Sequence, residues 1–164
     1  MAAKQKTLDD LFLHTLKDIY YAEKKILRNL RKMEKAAKGE DLQQAFGTHR
    51  EETQGQIERL EQVFEILGKR ASGVTCEAIN GILEEGEGIM EDFGDSEVAD
   101  AAMVAAAQAI EHYEIVRYGT LKTFAEELGM KDAAKLIDQN LQEEKKTDQL
   151  LTGIAEARAN KKSA

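Results

Sequence analysis

Leu8, Leu11, Phe12, Leu16, Ile19, Ile26, Leu27, Leu30 and Met33 recur three and four residues apart. That spacing gathers apolar side chains on one face of an α-helix. Thr7 and Asp10 have the spacing of a capping box, with Asp in place of the usual Glu or Gln. Gly39 offers a stop. The pattern predicts a helix over about 7–38. Leu42, Ala45, Phe46, His49, Ile57, Leu60, Phe64 and Leu67 repeat it over about 41–67, where Gly68 closes the run. Ala71-Ser72-Gly73 reads as a turn. A shorter helix is expected over about 74–93, carrying Ile79, Ile82, Leu83, Ile89 and Met90 but also Gly81, Gly86 and Gly88. Each interior glycine costs about 1 kcal/mol relative to alanine, so this is the least secure of the helices. Gly94-Asp95-Ser96 breaks the chain and supplies a new N-cap. Two further helices follow, over about 96–128 and 131–157, separated by Gly129, and residues 160–164 form a polar tail.

Four long helices and one short one result. The first and second are joined by a tight turn, as are the last two, so each pair is an antiparallel hairpin. The long crossover between the hairpins holds the short helix. An up-down-up-down bundle would use short loops throughout, whereas one long crossover is the ferritin-like connection. The expected fold is all-α: a ferritin-like antiparallel four-helix bundle, one domain over 1–164, with an extra short helix in its crossover.

Several acids fall on the apolar stripes, where a helix should be dry. Glu23 lies four residues after Ile19 and three before Ile26. Glu52 follows His49 by three, and Gln56 follows Glu52 by four. Glu114 sits four after Ile110 and four before Tyr118, with Glu111 one turn earlier. Glu144 follows Leu141 by three, and Asp148 follows Glu144 by four. A weak internal repeat sharpens the pattern. Sliding the first helix onto the fourth sets Ile19 on Ile110 and Glu23 on Glu114. Sliding the second onto the fifth sets Glu52 on Glu144 and Gln56 on Asp148. Carboxylates facing one another in a bundle core cannot all stay ionised without cations. Either their pKa values rise and they share protons, or metal ions neutralise them. Oxygen-rich sites suit iron and manganese, and carboxylates can bridge two such ions. The candidate ligands are therefore Glu23, Glu52, Gln56, Glu114, Glu144 and Asp148, with Glu111 and His49 as further possibilities. His49 reads more readily as a core histidine satisfied by hydrogen bonds than as a ligand. His112 points about a quarter turn from Glu111. Glu51, Glu58, Glu61, Glu126, Glu127 and Glu143 read as solvated faces, and the tyrosines as core packing and hydrogen bonding.

Composition narrows the functions. The chain has 164 residues, enough for one core without staples. It has no proline to break long helices. A net charge of −8 argues against nucleic acid and anionic membrane as main partners, since both need a basic footprint. The single Cys76 excludes an internal disulfide framework, making a reducing, cytoplasmic setting the default. No apolar run reaches membrane-spanning length, and Met1 to Leu13 lacks an apolar core of signal-peptide length.

Four segments in order carry a resemblance: Asp18-Ile-Tyr-Tyr-Ala-Glu23, His49-Arg-Glu-Glu-Thr53 with Arg59-Leu-Glu-Gln-Val-Phe64, Glu111-His-Tyr-Glu-Ile115, and Glu143-Glu-Lys-Lys-Thr-Asp148. From about Thr7 to Ala157 the chain resembles the YciF-like stress-protein family of the ferritin-like superfamily. The resemblance implies a rubrerythrin-like bundle, usually a homodimer, with a dinuclear metal centre, and a link to bacterial stress responses. Iron is the expected metal, manganese the next, and a small oxidant the expected substrate. One departure stands out. Ferritin-like oxidases place Glu-x-x-His on two helices, whereas Gly55 and Thr147 stand three residues after Glu52 and Glu144. Gln56 and Asp148 would make the site harder and richer in oxygen. This puts oxygen or peroxide chemistry in question and favours a metal-stabilised structural or interaction protein as the competing reading. Iron storage in a cage ranks last.

Overall fold

The computed structural model describes residues 5–161; the first four residues, and 162–164 of the expected polar tail, lie outside it. Among the described residues the chain is all-helical: α1 (Leu8–Ala36), α2 (Glu40–Ile66), α3 (Glu77–Phe93), α4 (Ala99–Glu127) and α5 (Lys131–Ile154). A π-helical turn, Ala155–Ala159, continues α5 where the sequence predicts plain helix to 157. No helix among these residues is long and apolar enough to cross a membrane.

α1 and α2 pack together, as do α4 and α5; α2 also packs on α5, and α1 on α4. The side-chain bonds fix the directions. Asp18 in the first half of α1 meets Tyr113 and Arg117 of α4, while Lys38 just past its end meets Asp100. Asp41 meets Arg158, and Arg59 meets Asn140. Both contacts between hairpins are therefore antiparallel, and four helices close a ring around one core. Phe12, Leu16, Ile19, Ile26, Leu42, Phe46, Leu60, Phe64, Met103, Leu121, Ile137 and Leu151 fill it. α3 lies outside the ring, against α4 and more lightly against α1; of its residues only Ile79 is fully buried.

The caps explain where the helices end. The Thr7–Asp10 capping box forms in both directions. Gly68 and Gly129 take φ of 63° and 72°, conformations that side chains resist, and close α2 and α4. Gly39 behaves otherwise: its φ is −82° and it caps the start of α2 rather than the end of α1. A Cβ there would lie 2.1 Å from Arg158 Nη2, so the glycine makes room for a guanidinium. α3 starts three residues later than the apolar pattern implies, because Cys76 Sγ accepts the Ile79 N–H at 3.4 Å and acts as its cap. Ser96 does not cap α4. Its hydroxyl donates to the Phe93 carbonyl at 2.6 Å, and the helix begins at Ala99.

Buried Asp100 ties three parts of the chain together. Its carboxylate accepts the Lys38 and Gly39 N–H groups at 2.8 and 2.9 Å, and Arg158 Nη1 lies 2.8 Å away. Removing it would leave two backbone donors without their acceptor and leave the Arg158 guanidinium to Asp41 alone. Asp100→Ala is expected to lose about 2–4 kcal/mol of stability in urea unfolding. A loss below about 0.5 kcal/mol would show that water replaces the carboxylate at this junction.

Candidate metal centre

Halfway along the bundle, four helices turn polar side chains inward: Glu23 from α1, His49 from α2, Glu111 and Glu114 from α4, and Glu144 from α5. All five are at most 2% exposed. They fall there because each occupies an apolar position of its helix, one turn from residues such as Ile19, Phe46, Ile110 and Leu141 that are themselves buried.

His49, Glu111, Glu114 and Glu144 form the tightest group. Each can offer one ligand atom such that all four atoms lie within 4.8 Å of one another, which suits a metal ion. His49 Nε2 lies 3.1 Å from Glu111 Oε1 and 3.6 Å from Glu144 Oε2. On its other edge, Nδ1 is 3.3 Å from the Thr147 hydroxyl and 3.7 Å from Glu52 Oε2. Glu23 accepts a very short hydrogen bond from the Tyr118 phenol.

Burial and mutual repulsion dominate the electrostatics of the group. Burial pushes the Glu23 carboxyl up to about 7, against the opposing pull of the Tyr118 hydrogen bond. Burial and then the Glu144 and Glu23 charges hold Glu114 well above the usual carboxylate range. Burial likewise raises Glu144, although His49 opposes it. Burial alone would strip the proton from His49, but the Glu111 and Glu144 charges outweigh it and keep the imidazole protonated well above its ordinary range. Even so, one oxygen of Glu23, one of Glu111 and both of Glu114 and Glu144 are buried without a hydrogen-bond donor. Such atoms are costly to bury, and a divalent cation would satisfy them together. The donor set fits iron, manganese or zinc.

The other sequence candidates stand at the margin. Glu52 is about a fifth exposed, and Lys146 Nζ lies 3.9 Å from it; hydrogen bonding to His49 chiefly lowers its pKa. Gln56 is fully buried. Its amide donates to Glu143 at 3.1 Å, while its Oε1 lacks a donor. Glu143, expected on a solvated face, is instead gripped by Arg59 at 2.5 and 2.9 Å. Asp148 is turned away from the group: it accepts from Gln108 and contacts His112 Nε2, each at 3.1 Å.

Three supporting residues carry no metal-ligand signal in the sequence. Tyr118 orients Glu23, Thr147 reaches His49, and buried Asn140 accepts Arg59 at 2.6 Å. Their only trace is position. Tyr118 stands four residues after Glu114, Thr147 three after Glu144 and Asn140 four before it, so each shares a face with a core acid. Tyr118→Phe is expected to leave Glu23 without its donor and to lower metal-free stability by about 1–3 kcal/mol in urea unfolding. An unchanged midpoint would mean that this hydrogen bond does not hold Glu23.

Comparison with known proteins agrees with this architecture. Escherichia coli (strain K12) Protein YciF is 48% identical over 159 residues, spanning 96% of each chain. The crystal structure of the E. coli stress protein YciF superposes with a TM-score of 0.90 over 96% of this chain and 100% of its own. YcfI from Rhodopseudomonas palustris is 49% identical, with a TM-score of 0.88 over 93% of this chain and 97% of that one. A Xanthomonas campestris protein at 22% identity shares the fold, with a TM-score of 0.71 over 92% of both chains. Residues 7–164 match the family described as Domain of unknown function (DUF892). An inward-facing His/Glu cluster in an all-helical bundle, together with a near full-length likeness to YciF, makes this chain a YciF-like member of the DUF892 family.

Proposed function

We propose that the bundle core binds two metal ions, iron foremost and manganese next, and that the protein uses them to consume a small oxidant during stress. The observation that carries this reading is the convergence of undonated carboxylate oxygens from Glu23, Glu111, Glu114 and Glu144 around His49. Glu114, Glu144, His49, Glu111 and Glu23 would hold the ions. Glu52 and the free Gln56 oxygen would complete the shell at its open edge. Asp148, engaged by His112 and Gln108, would stay outside. Two Fe(II) ions would supply the two electrons that, with two protons, take hydrogen peroxide to two waters. The residues around them would exclude bulk water, and the acids would give up their protons on binding the cations. The stress association belongs to the E. coli relative; its extension to this chain, a cytoplasmic setting and a homodimer are parts of the same proposal.

A second reading has its own support. The inner ligands are at most 2% exposed, and the Glu-x-x-His positions hold Gly55 and Thr147. The R. palustris relative is described as a candidate structural protein. On that reading the metal holds the bundle together without turnover.

Anaerobic Fe(II) loading followed by elemental analysis and a peroxide assay separates the two. About two irons per chain with iron-dependent peroxide loss supports the first. Bound iron without peroxide loss leaves the structural role. Absence of iron binding sinks both.

A further inference from the structure

α3 covers the bundle without sealing it. Beneath it, between α1, α3 and α4, lies a cavity of about 430 Å³. Met33, Ile82, Leu83, Met90, Met103 and Ile110 supply most of its apolar wall. Its α1 side runs from Asn29 to Ala36, about 10 Å at 1.5 Å per residue. Cavities of this size, mainly apolar with a few polar groups at one place, are the usual form of small-ligand sites. Methionine walls adapt to ligands of varied shape. α3 and α1 run parallel here, Tyr21 bonding to Asn80 and Lys32 to Glu87.

At its Asn29 and Lys32 end the cavity meets a second recess, bordered also by Lys25, Arg28, Asn80 and Glu84. The recess brings three cations against Glu84 and Glu87. Lys32 pairs with Glu87 at 3.2 Å, while Arg28 has no ion-pair partner among the described residues. The chain as a whole carries −8, so this cationic mouth on an apolar cavity runs against the overall charge. A ligand that matches both parts has an apolar tail and an anionic head.

We propose that this cavity binds one single-chain anionic amphiphile, a medium-chain carboxylate being the simplest. Its tail lies among the methionine and aliphatic side chains, and its head sits at Arg28 and Lys32. A free molecule is favoured over a membrane surface. α3 exposes Glu77, Glu84, Glu85, Glu87, Glu91 and Asp92, an acidic surface that an anionic bilayer would repel. Gly86, where a Cβ would lie 3.4 Å from Ala106 Cβ, sets how closely α3 approaches α4 over this space.

The test is calorimetric titration of the full chain with decanoate, run with and without chelator so that the outcome is independent of the metal centre. Saturable binding of one decanoate per chain is expected, at least tenfold tighter than decyltrimethylammonium. The exposed double variant Arg28→Glu/Lys32→Glu should weaken it at least tenfold. Met90→Trp, which fills the cavity, should abolish it. No saturable binding, equal affinity for the two head groups, or affinity unchanged by charge reversal would each overturn the proposal. If Met90→Trp does not fold, the charge-reversed variant decides alone.

Discussion

Metal-free protein is expected to lose stability as the pH rises from about 4.5 to beyond 7, the reverse of ordinary acid unfolding. In an unfolded chain Glu23 releases its proton near pH 4.5, whereas in the bundle burial holds it to about 7. Between those values the native state binds more protons than the unfolded state, so stability falls with pH. The contribution is complete below 4.5 and gone above about 7. At about 1.4 kcal/mol per pKa unit, Glu23 alone accounts for about 3 kcal/mol. Glu114 and Glu144, also raised by burial, act in the same direction. His49 does too, since its raised pKa supplies stability below 6.5 that disappears as the imidazolium is finally titrated. Glu52 is lowered and opposes the trend, but it is partly exposed and counts for less. Metal reverses the slope, because the ligands must shed their protons to bind it. Urea unfolding at pH 5, 6, 7 and 8, with chelator and with Mn(II), measures both slopes. Metal-free stability that is flat or rising over that range would show that the core acids do not hold their protons.

Glu144→Gln should produce opposite effects in the two states. Without metal, the change removes an acid that is fully buried and lacks a donor at both oxygens, and it relieves Glu114 of the Glu144 charge, the leading electrostatic cause of its raised pKa. Burial already pushes Glu144 toward its neutral form, so a neutral amide of the same shape removes the cost of ionising it as the pH rises. The metal-free variant should therefore melt higher than wild type, most clearly at pH 8. With metal the order should invert, because the variant has lost an anionic ligand and wild type gains the free energy of binding. Thermal melts of both proteins, with chelator and with Fe(II) under anaerobic conditions, give the comparison. A variant that melts lower than wild type even in chelator would mean that the attraction between the Glu144 carboxylate and His49, 3.6 Å away, outweighs the cost of its burial.

The sequence was most legible where one physical rule dominated. Apolar spacing located five helices, and Gly68 and Gly129 closed two of them where a positive φ was needed. Gly39 misled because the same residue type was required for the approach of Arg158, a contact more than a hundred residues away that no local pattern signals. Ser96 has the residue type of a cap, but its hydroxyl donates back to the Phe93 carbonyl.

The internal repeat explains what was readable in the core. Glu23 and Glu114 occupy matching positions, and both are fully buried. The same alignment places Tyr20 on Glu111 and Leu141 on His49. These two breaks in the repeat meet each other, since His49 Nε2 lies 3.1 Å from Glu111. A reading guided by symmetry therefore favours Glu52 and Asp148 and gives less weight to the asymmetric pair that occupies the centre. The engagement of Asp148 by Gln108 and His112 has no local signal, because both partners lie on another helix.

The most direct measurement is anomalous diffraction from crystals of the protein soaked anaerobically in Fe(II), collected at the iron absorption edge. Two anomalous peaks among Glu23, His49, Glu111, Glu114 and Glu144 are expected, with both peaks lost in Glu144→Gln. Iron found only on surface acids, or no peak in the bundle, would contradict a metal centre in the core and leave the five residues as a proton-sharing cluster.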